Sequence, residues 1–376
     1  MWSREKAANY LARKEVLIIR PIQRSLFTRT WLFTLLLCLL LSPANLAGAA
    51  TPLADLFDRN WGAWSHGQDT VTYRALVDEL PNPAYTGESA AALAALAHKL
   101  HFGHLETGVS RSQAIELANN DKALQTRYAN ILSALPNLSR QLYATGKPNF
   151  AALKQGPIGD CFFFSGIGWL SRYRPQIIMQ AIQPQPNGTY LVNFPIGMQA
   201  VVPKPTDAEI LFFNSASTIT DGLWVSILEK AVGTILPNYT QRVVDRAEPE
   251  FNIALGGAPA MIEHIWTGVL PTVVYLDKRP SRQEIRSALI RMQERRLMSQ
   301  ALTPARSIAH SVAGDHVYAI LGFDPTTDTL TLWNPWGDDF TPKGPEGLQN
   351  GYARQHGVFM MPLDEFRDVF WVLSIE

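Results

Sequence analysis

The periodicity of the chain changes character near residue 256. Before it, apolar positions recur at helical spacing. Ile115, Leu117, Ala118, Leu124, Tyr128, Ile131 and Leu132 predict one or two helices over 110–135, ended by Pro136. An Ala/Leu-rich stretch predicts a helix over 87–104 opened by Thr86, and Asp221 is placed as the cap of another over 221–236. A further turn or two of helix is expected over 138–144, and a buried helix over 161–171, whereas 51–80 shows no clear period. An alternating β-like run occupies 189–202. After residue 256 strands dominate: PTVVYLD (271–277), HVYAILGF (316–323) and TLTLWN (329–334), the last two joined by the turn DPTTD. One amphipathic helix, 282–300, lies among them, and 358–375 closes with strand, helix turn and strand. Helices followed by strands predict an α+β fold of two lobes, and 376 residues suffice for a substantial core.

The first fifty residues are read separately. A basic stretch ending at Arg29 precedes WLFTLLLCLLL (31–41) and the small-residue stretch SPANLAGAA. That order matches an export signal cut near Ala47-Gly48-Ala49. The apolar run is about eleven residues, against the roughly twenty a spanning helix needs. An exported protein is the expectation; the alternative is a membrane association through an uncleaved 31–41. Seven Lys/Arg against Glu5 and Glu15 leave residues 51–376 about five charges negative in a chain of formal net charge zero, which argues against nucleic acid as a partner.

Removal of the signal would also remove Cys38 and leave Cys161 as the one thiol, with no intramolecular disulfide. A lone cysteine is commonly a buried structural residue. Its setting, QGPIGDCFFF, supports a second reading. A cysteine nucleophile needs a base, a group to orient the base, and donors for the oxyanion. Cys161 is placed at a helix N-terminus, where the dipole and free N–H groups lower a thiol pKa. Gln155 lies six residues upstream across two glycines, so that its amide and the Cys161 N–H form a candidate oxyanion site. His316 starts one strand of the predicted hairpin and Asn334 ends the other. A turn centred on Pro325 sets them opposite each other to within a residue of register. Asn334 would orient the imidazole and Trp336 would shield that hydrogen bond. A merely stabilising cross-strand pair is the alternative.

Several segments together carry a family resemblance. QGPIGDC, GLWVSILEKA (222–231), Gly256-Gly257, DHVYAI (315–320) and NPWG (334–337) stand in the order found in calpain-type cysteine proteases, and VFMMPLDEFRDVF (358–370) resembles the end of that family's core. The resemblance covers about 150–370. It implies a papain-like two-lobed fold, with Cys161 as nucleophile, His316 as base, Asn334 as orienter and Gln155 as oxyanion donor. It also implies that Gly256 and Gly257 lie along the substrate backbone. Departures are Phe162 where the family has tryptophan, Val317 within its His-Ala-Tyr, and Ala152, His356 and Val358 where it places acids. The last three predict a calcium-independent enzyme, with no metal and no cofactor.

The resulting organisation is a signal or anchor (1–50), a helical extension or pro-segment (51–150), a helical lobe (151–255) and a β-rich lobe (256–376). The expected activity is endopeptidase on protein or peptide substrates through a thioester. A transglutaminase-like acyl transfer on the same residues and a non-catalytic binding protein of the same fold are the alternatives. His98, His101 and His104, three apart on one predicted helix, are read as a solvated face rather than a metal site.

Overall fold

The computed structural model describes residues 52–102, 108–213, 215–240 and 249–376. The apolar run 31–41 and His104 lie outside the described residues. Among the described residues no helix is long and apolar enough to cross a membrane.

The extension consists of α1 (Pro52–Ser65), a short antiparallel pair β1 (Thr70–Val71) and β2 (Val109–Ser110), α2 (Tyr73–Glu79), α3 (Gly87–Phe102), α4 (Arg111–Asn120) and α5 (Lys122–Ala134). The stretch 51–80, expected to be aperiodic, thus holds two helices. Leu53, Phe57, Trp61 and Trp64 recur at one face of α1 and are all buried. Asp121 divides 110–135 in two: its N–H closes α4 on Leu117 O, and its carboxylate caps α5 at Leu124 N, 3.0 Å away. Residues 138–144 are not helical.

His98 corrects the reading of a solvated histidine face. It is buried in α3, its Nε2 lies 2.8 Å from Phe212 O, and its ring stacks on Phe212 at 5.1 Å. Burial pushes its pKa down to about 3, so it is a neutral core residue.

The helical lobe follows with α6 (Cys161–Tyr173), α7 (Pro175–Ala181), a three-stranded antiparallel sheet β3 (Ile182–Pro184), β4 (Thr189–Asn193) and β5 (Gln199–Pro203), then α8 (Asp207–Phe213), α9 (Ser215–Asp221), α10 (Trp224–Thr240), α11 (Pro249–Ala254) and α12 (Pro259–Thr267). Asp221 ends α9 instead of capping α10. Gly222 turns the chain between them at φ 103°, where a Cβ would come 2.7 Å from the carbonyl oxygens of Gln141 and Leu142. The Asp221 carboxylate accepts from the Trp224 indole N–H and from Asn149 N, each at 2.9 Å.

The second lobe is a six-stranded antiparallel sheet, ordered β10–β9–β8–β7–β11–β6, from β6 (Thr272–Tyr275), β7 (Ser299–Leu302), β8 (Val317–Asp324), β9 (Thr329–Trp333), β10 (Val358–Pro362) and β11 (Val372–Ile375). Helices α13 (Arg282–Arg295) and α14 (Leu363–Val369) cover its outer face. The helix expected over 282–300 stops at Arg295, with Arg296 left-handed at φ 50°. Ser299 and Gln300 look like helix surface in the sequence but are buried in the strand β7.

Val317, Ala319, Leu321 and Trp333 turn toward the helices, whereas Tyr318 and Ile320 turn toward α13 and α14. A β-bulge at Leu321 lets Phe323 join the outer face. The inner core is continuous: Phe57 and Leu96 of the extension, Phe212 and Trp224 of the helical lobe, and Val317 and Trp333 of the sheet belong to one cluster.

Candidate active site

Cys161 is the first residue of α6, following Asp160, whose carbonyl accepts from Phe163 N and Phe164 N. Its own N–H and that of Phe162 have no carbonyl four residues back inside the helix and point out of its first turn. Two contacts that sequence reasoning missed hold this helix against β8 and β9. The buried Ser165 hydroxyl, one turn after Cys161, donates to Val317 O at 2.8 Å. Gly168, a further turn along, faces the ring of Trp333. Val317 immediately follows His316, so one bond pins the candidate base a residue away and the candidate nucleophile a helical turn away. The Cys161 sulfur itself lies against the Val317 backbone N–H.

His316 is buried, and its Nε2 lies 2.8 Å from Asn334 Oδ1. The pairing arises from a register other than the expected one. Ala319 faces Trp333 and Phe323 faces Leu330. Extended to His316, the ladder reaches Trp336, two residues beyond Asn334. The bulge and the NPWG turn bring the Asn334 side chain back to the imidazole. Trp336 covers the ring at 4.4 Å between centroids, with 42% of its surface left exposed, and its N–H donates to Asn334 Oδ1 at 3.1 Å. Asn334 Nδ2 donates to Asp338 Oδ1 at 3.0 Å, and Asp338 is ion-paired to Arg354.

Gln155 reaches the same place from the other lobe. Its backbone N–H donates to Pro335 O at 2.7 Å, fastening the loop before Cys161 to the NPWG turn. Its side-chain amide donates to Ile158 O at 2.9 Å and to Asp160 Oδ1 at 3.1 Å. The amide is therefore committed to its own loop. Asp160 in turn faces Glu229 of α10; both are fully buried. Burial raises both pKa values, Asp160 to about 7 against the lowering bond from Glu229, and Glu229 well above the carboxylate range with the Asp160 charge adding to it. An aspartate between a glycine and a cysteine at the head of an apolar run was the sequence signal for a buried acid.

The lowering expected of the helix N-terminus, present as the Phe162 N–H, is outweighed by burial. Burial pushes Cys161 up to about 12; the Val317 N–H opposes this, and the Asp160 charge adds to it. Burial likewise holds His316 down at about 4, although the Asn334 bond and the Asp338 charge favour the imidazolium. Both shifts favour a neutral thiol and a neutral imidazole near pH 7.

Gly256 and Gly257 flank the head of α6. Gly256 has φ 78°, and a Cβ on Gly257 would come 2.6 Å from the Phe162 ring. Packing against Phe162 is thus sufficient to require the second glycine.

A model of the calpain family cysteine proteases matches residues 118–346. The chain belongs to the calpain family of cysteine proteases. Similar relatives include the calpain-type cysteine protease DEK1 of Zea mays, 26% identical over 251 residues, which are 59% of this chain and 11% of that protein. The calpain-type cysteine protease ADL1 of Oryza sativa subsp. japonica is 24% identical over 269 residues, 64% of this chain and 12% of its own length. The chain therefore spans about an eighth or less of the curated relatives it matches. The mixed helix and sheet architecture agrees with the calpain-like α+β domain.

Proposed function

We propose that the chain is a calpain-type cysteine endopeptidase working through Cys161, His316 and Asn334. The observation that carries this reading is the 2.8 Å bond from His316 Nε2 to Asn334 Oδ1 beside a thiol-bearing helix N-terminus. With Nε2 held by Asn334, Nδ1 is left to take the Cys161 proton. The thiolate attacks the scissile carbonyl, and a C–S bond forms as the carbonyl becomes an oxyanion. The Cys161 N–H faces that oxygen, and Gln155 supplies a second donor once its amide gives up one of its two loop bonds. His316 gives its proton to the leaving amine as the C–N bond breaks. A water molecule then cleaves the thioester, with His316 taking its proton and returning it to sulfur. Gly256 and Gly257 offer backbone alone to an extended peptide beside Cys161.

A calcium requirement does not fit the residues present. Ala152 has no side-chain oxygen, Val358 is apolar and paired to Trp333 in the sheet, and His356 offers ring nitrogens instead of a carboxylate. The Arg354 guanidinium, 5% exposed, already supplies a positive charge in the same loop. Export through residues 1–50 remains part of the proposal, supported by their basic, apolar and small-residue order.

The test is casein or peptide hydrolysis by the purified protein, with an epoxide probe and mass spectrometry of the modified peptide. Labelling at Cys161 is expected, with loss of activity of at least about 10⁴-fold in Cys161→Ala. His316→Ala is expected to remove most activity and Asn334→Ala about ten- to a hundredfold. Activity is expected to persist in EGTA. Hydrolysis that survives Cys161→Ala overturns the assignment; reversible loss in EGTA, restored by calcium, overturns the calcium reading alone.

A further inference from the structure

Beyond the triad lies a polar chain that none of these roles uses. Asn334 has an amide that fits its pocket in two orientations, and only one serves as proposed. With Oδ1 toward His316, Nε2 must carry the ring proton and Nδ1 is free as a base. With the amide reversed, its NH₂ group would face Nε2 and favour the tautomer protonated on Nδ1, which cannot accept from a thiol. Something must therefore fix the amide. The Asp338 carboxylate, an acceptor only, takes the Nδ2 hydrogen at 3.0 Å, while the Trp336 N–H occupies the oxygen side at 3.1 Å.

Asp338 would wander without help, since 40% of its side chain is exposed. Arg354 holds it. The guanidinium pairs with Asp338 Oδ2 through Nη2 and donates to Ser311 O through Nη1 at 2.9 Å. It lies over the rings of Phe340 and Phe359 at 5.8 and 6.0 Å. The backbone of Arg354 is bridged to Phe340 by two bonds of 2.9 Å, and Gly357 N–H reaches Asp338 O at 3.0 Å. A buried arginine with both Nη groups engaged, aimed at a half-exposed aspartate, is the arrangement expected of a support and not of a surface ion pair.

We propose that Asp338 and Arg354 are positioning residues that lock the Asn334 amide, and through it the His316 tautomer. The inference rests on the proposed triad, but its primary readout does not require activity. The experiment is two-dimensional nitrogen–proton NMR of the His316 ring in the full chain, wild type against Asp338→Asn and Arg354→Met, with steady-state kinetics on the same proteins. Asp338→Asn keeps size and shape, so the loop is retained; Arg354→Met keeps the stem over the two rings. Wild type is expected to show His316 protonated on Nε2. Each variant is expected to show a mixed or Nδ1-protonated ring, with kcat lowered at least about tenfold and KM changed less than about twofold. Arg354→Lys, which restores charge without the fork, is expected to recover part of kcat. A wild-type tautomer and wild-type kcat in both variants overturn the inference. A tautomer change in a protein that hydrolyses no peptide would uphold the lock while removing the peptidase reading.

Discussion

Gly168 of the Cys161 helix touches the indole of Trp333, the residue before Asn334: a Cβ there would fall 2.2 Å from the ring. Helix and sheet meet here without room for a side chain, two turns along from the thiol. Gly168→Ala is therefore expected to force helix and strand apart. Stability should fall by about 1–3 kcal/mol from overpacking, and activity should fall with it because the His316 strand shifts relative to Cys161. Urea unfolding and peptide hydrolysis on the same preparation check this. Unchanged midpoint and unchanged kcat would mean that the interface has slack.

The neutral resting pair makes a kinetic prediction. With Cys161 near 12 and His316 near 4, the free enzyme at neutral pH holds little thiolate. Alkylation by iodoacetamide should stay slow near pH 7 and climb steadily between pH 8 and 10. A rate already level from about pH 5 would show a preformed thiolate–imidazolium pair.

How much of this was legible in the sequence depends on the range of the interaction. The β8–β9 hairpin could be read because its turn chemistry and alternation are local. Its register could not, since the bulge at Leu321 is set by which face Phe323 fills. Helix α1 was missed: Leu53, Phe57, Trp61 and Trp64 line its buried face but stand among polar neighbours in the sequence. Strand β7 carries no local signal, as Ser299 and Gln300 are buried only because β8 and β11 flank them. The residue types around Cys161 were readable; the Ser165–Val317 bond and the Asp160–Glu229 pair join segments far apart in the chain and could not be.

That acid pair and Glu263, also buried with a raised pKa, give stability a pH dependence of definite sign. A carboxyl raised in the folded state favours folding fully below its unfolded pKa, and that contribution is lost as pH rises through the folded value. For Asp160 the window runs from about 4 to about 7. The urea midpoint should therefore fall between pH 5 and 8. In Glu229→Gln, whose amide can donate to Asp160, the fall should be smaller, with the remainder owed to Glu263. His98 and His316, both lowered, act in the opposite sense: their contribution is lost as pH drops below about 6.5 toward 4 and 3. A wild-type midpoint flat from pH 5 to 8 would refute the shared proton.

The continuous core predicts the fate of the extension. Helix α3 lies on α8, with His98 stacked on Phe212, and the Thr206 hydroxyl bonds Leu80 O at 2.7 Å. Deleting residues 52–137 would bare this apolar surface, and the remaining chain is expected to be insoluble. The alternative, a removable pro-segment, requires a time-dependent cut between about 135 and 154 that vanishes in Cys161→Ala and accompanies rising activity. Appearance of a soluble, active shorter form would decide for it.

The strand order has a bearing on when during biosynthesis the site exists at all. β6 and β7 are not neighbours; β11 lies between them and pairs with both. Until Val372–Ile375 has been made and has inserted, the β11–β6 end of the sheet is missing, and the outer edge of β7, beside the His316 strand, is open. The pairing spans about seventy residues or more on each side, a class of contact that forms late and slowly. A nascent chain thus carries Cys161 long before the sheet beside the His316 strand is complete, so strand order alone makes completion of the proposed site a late event.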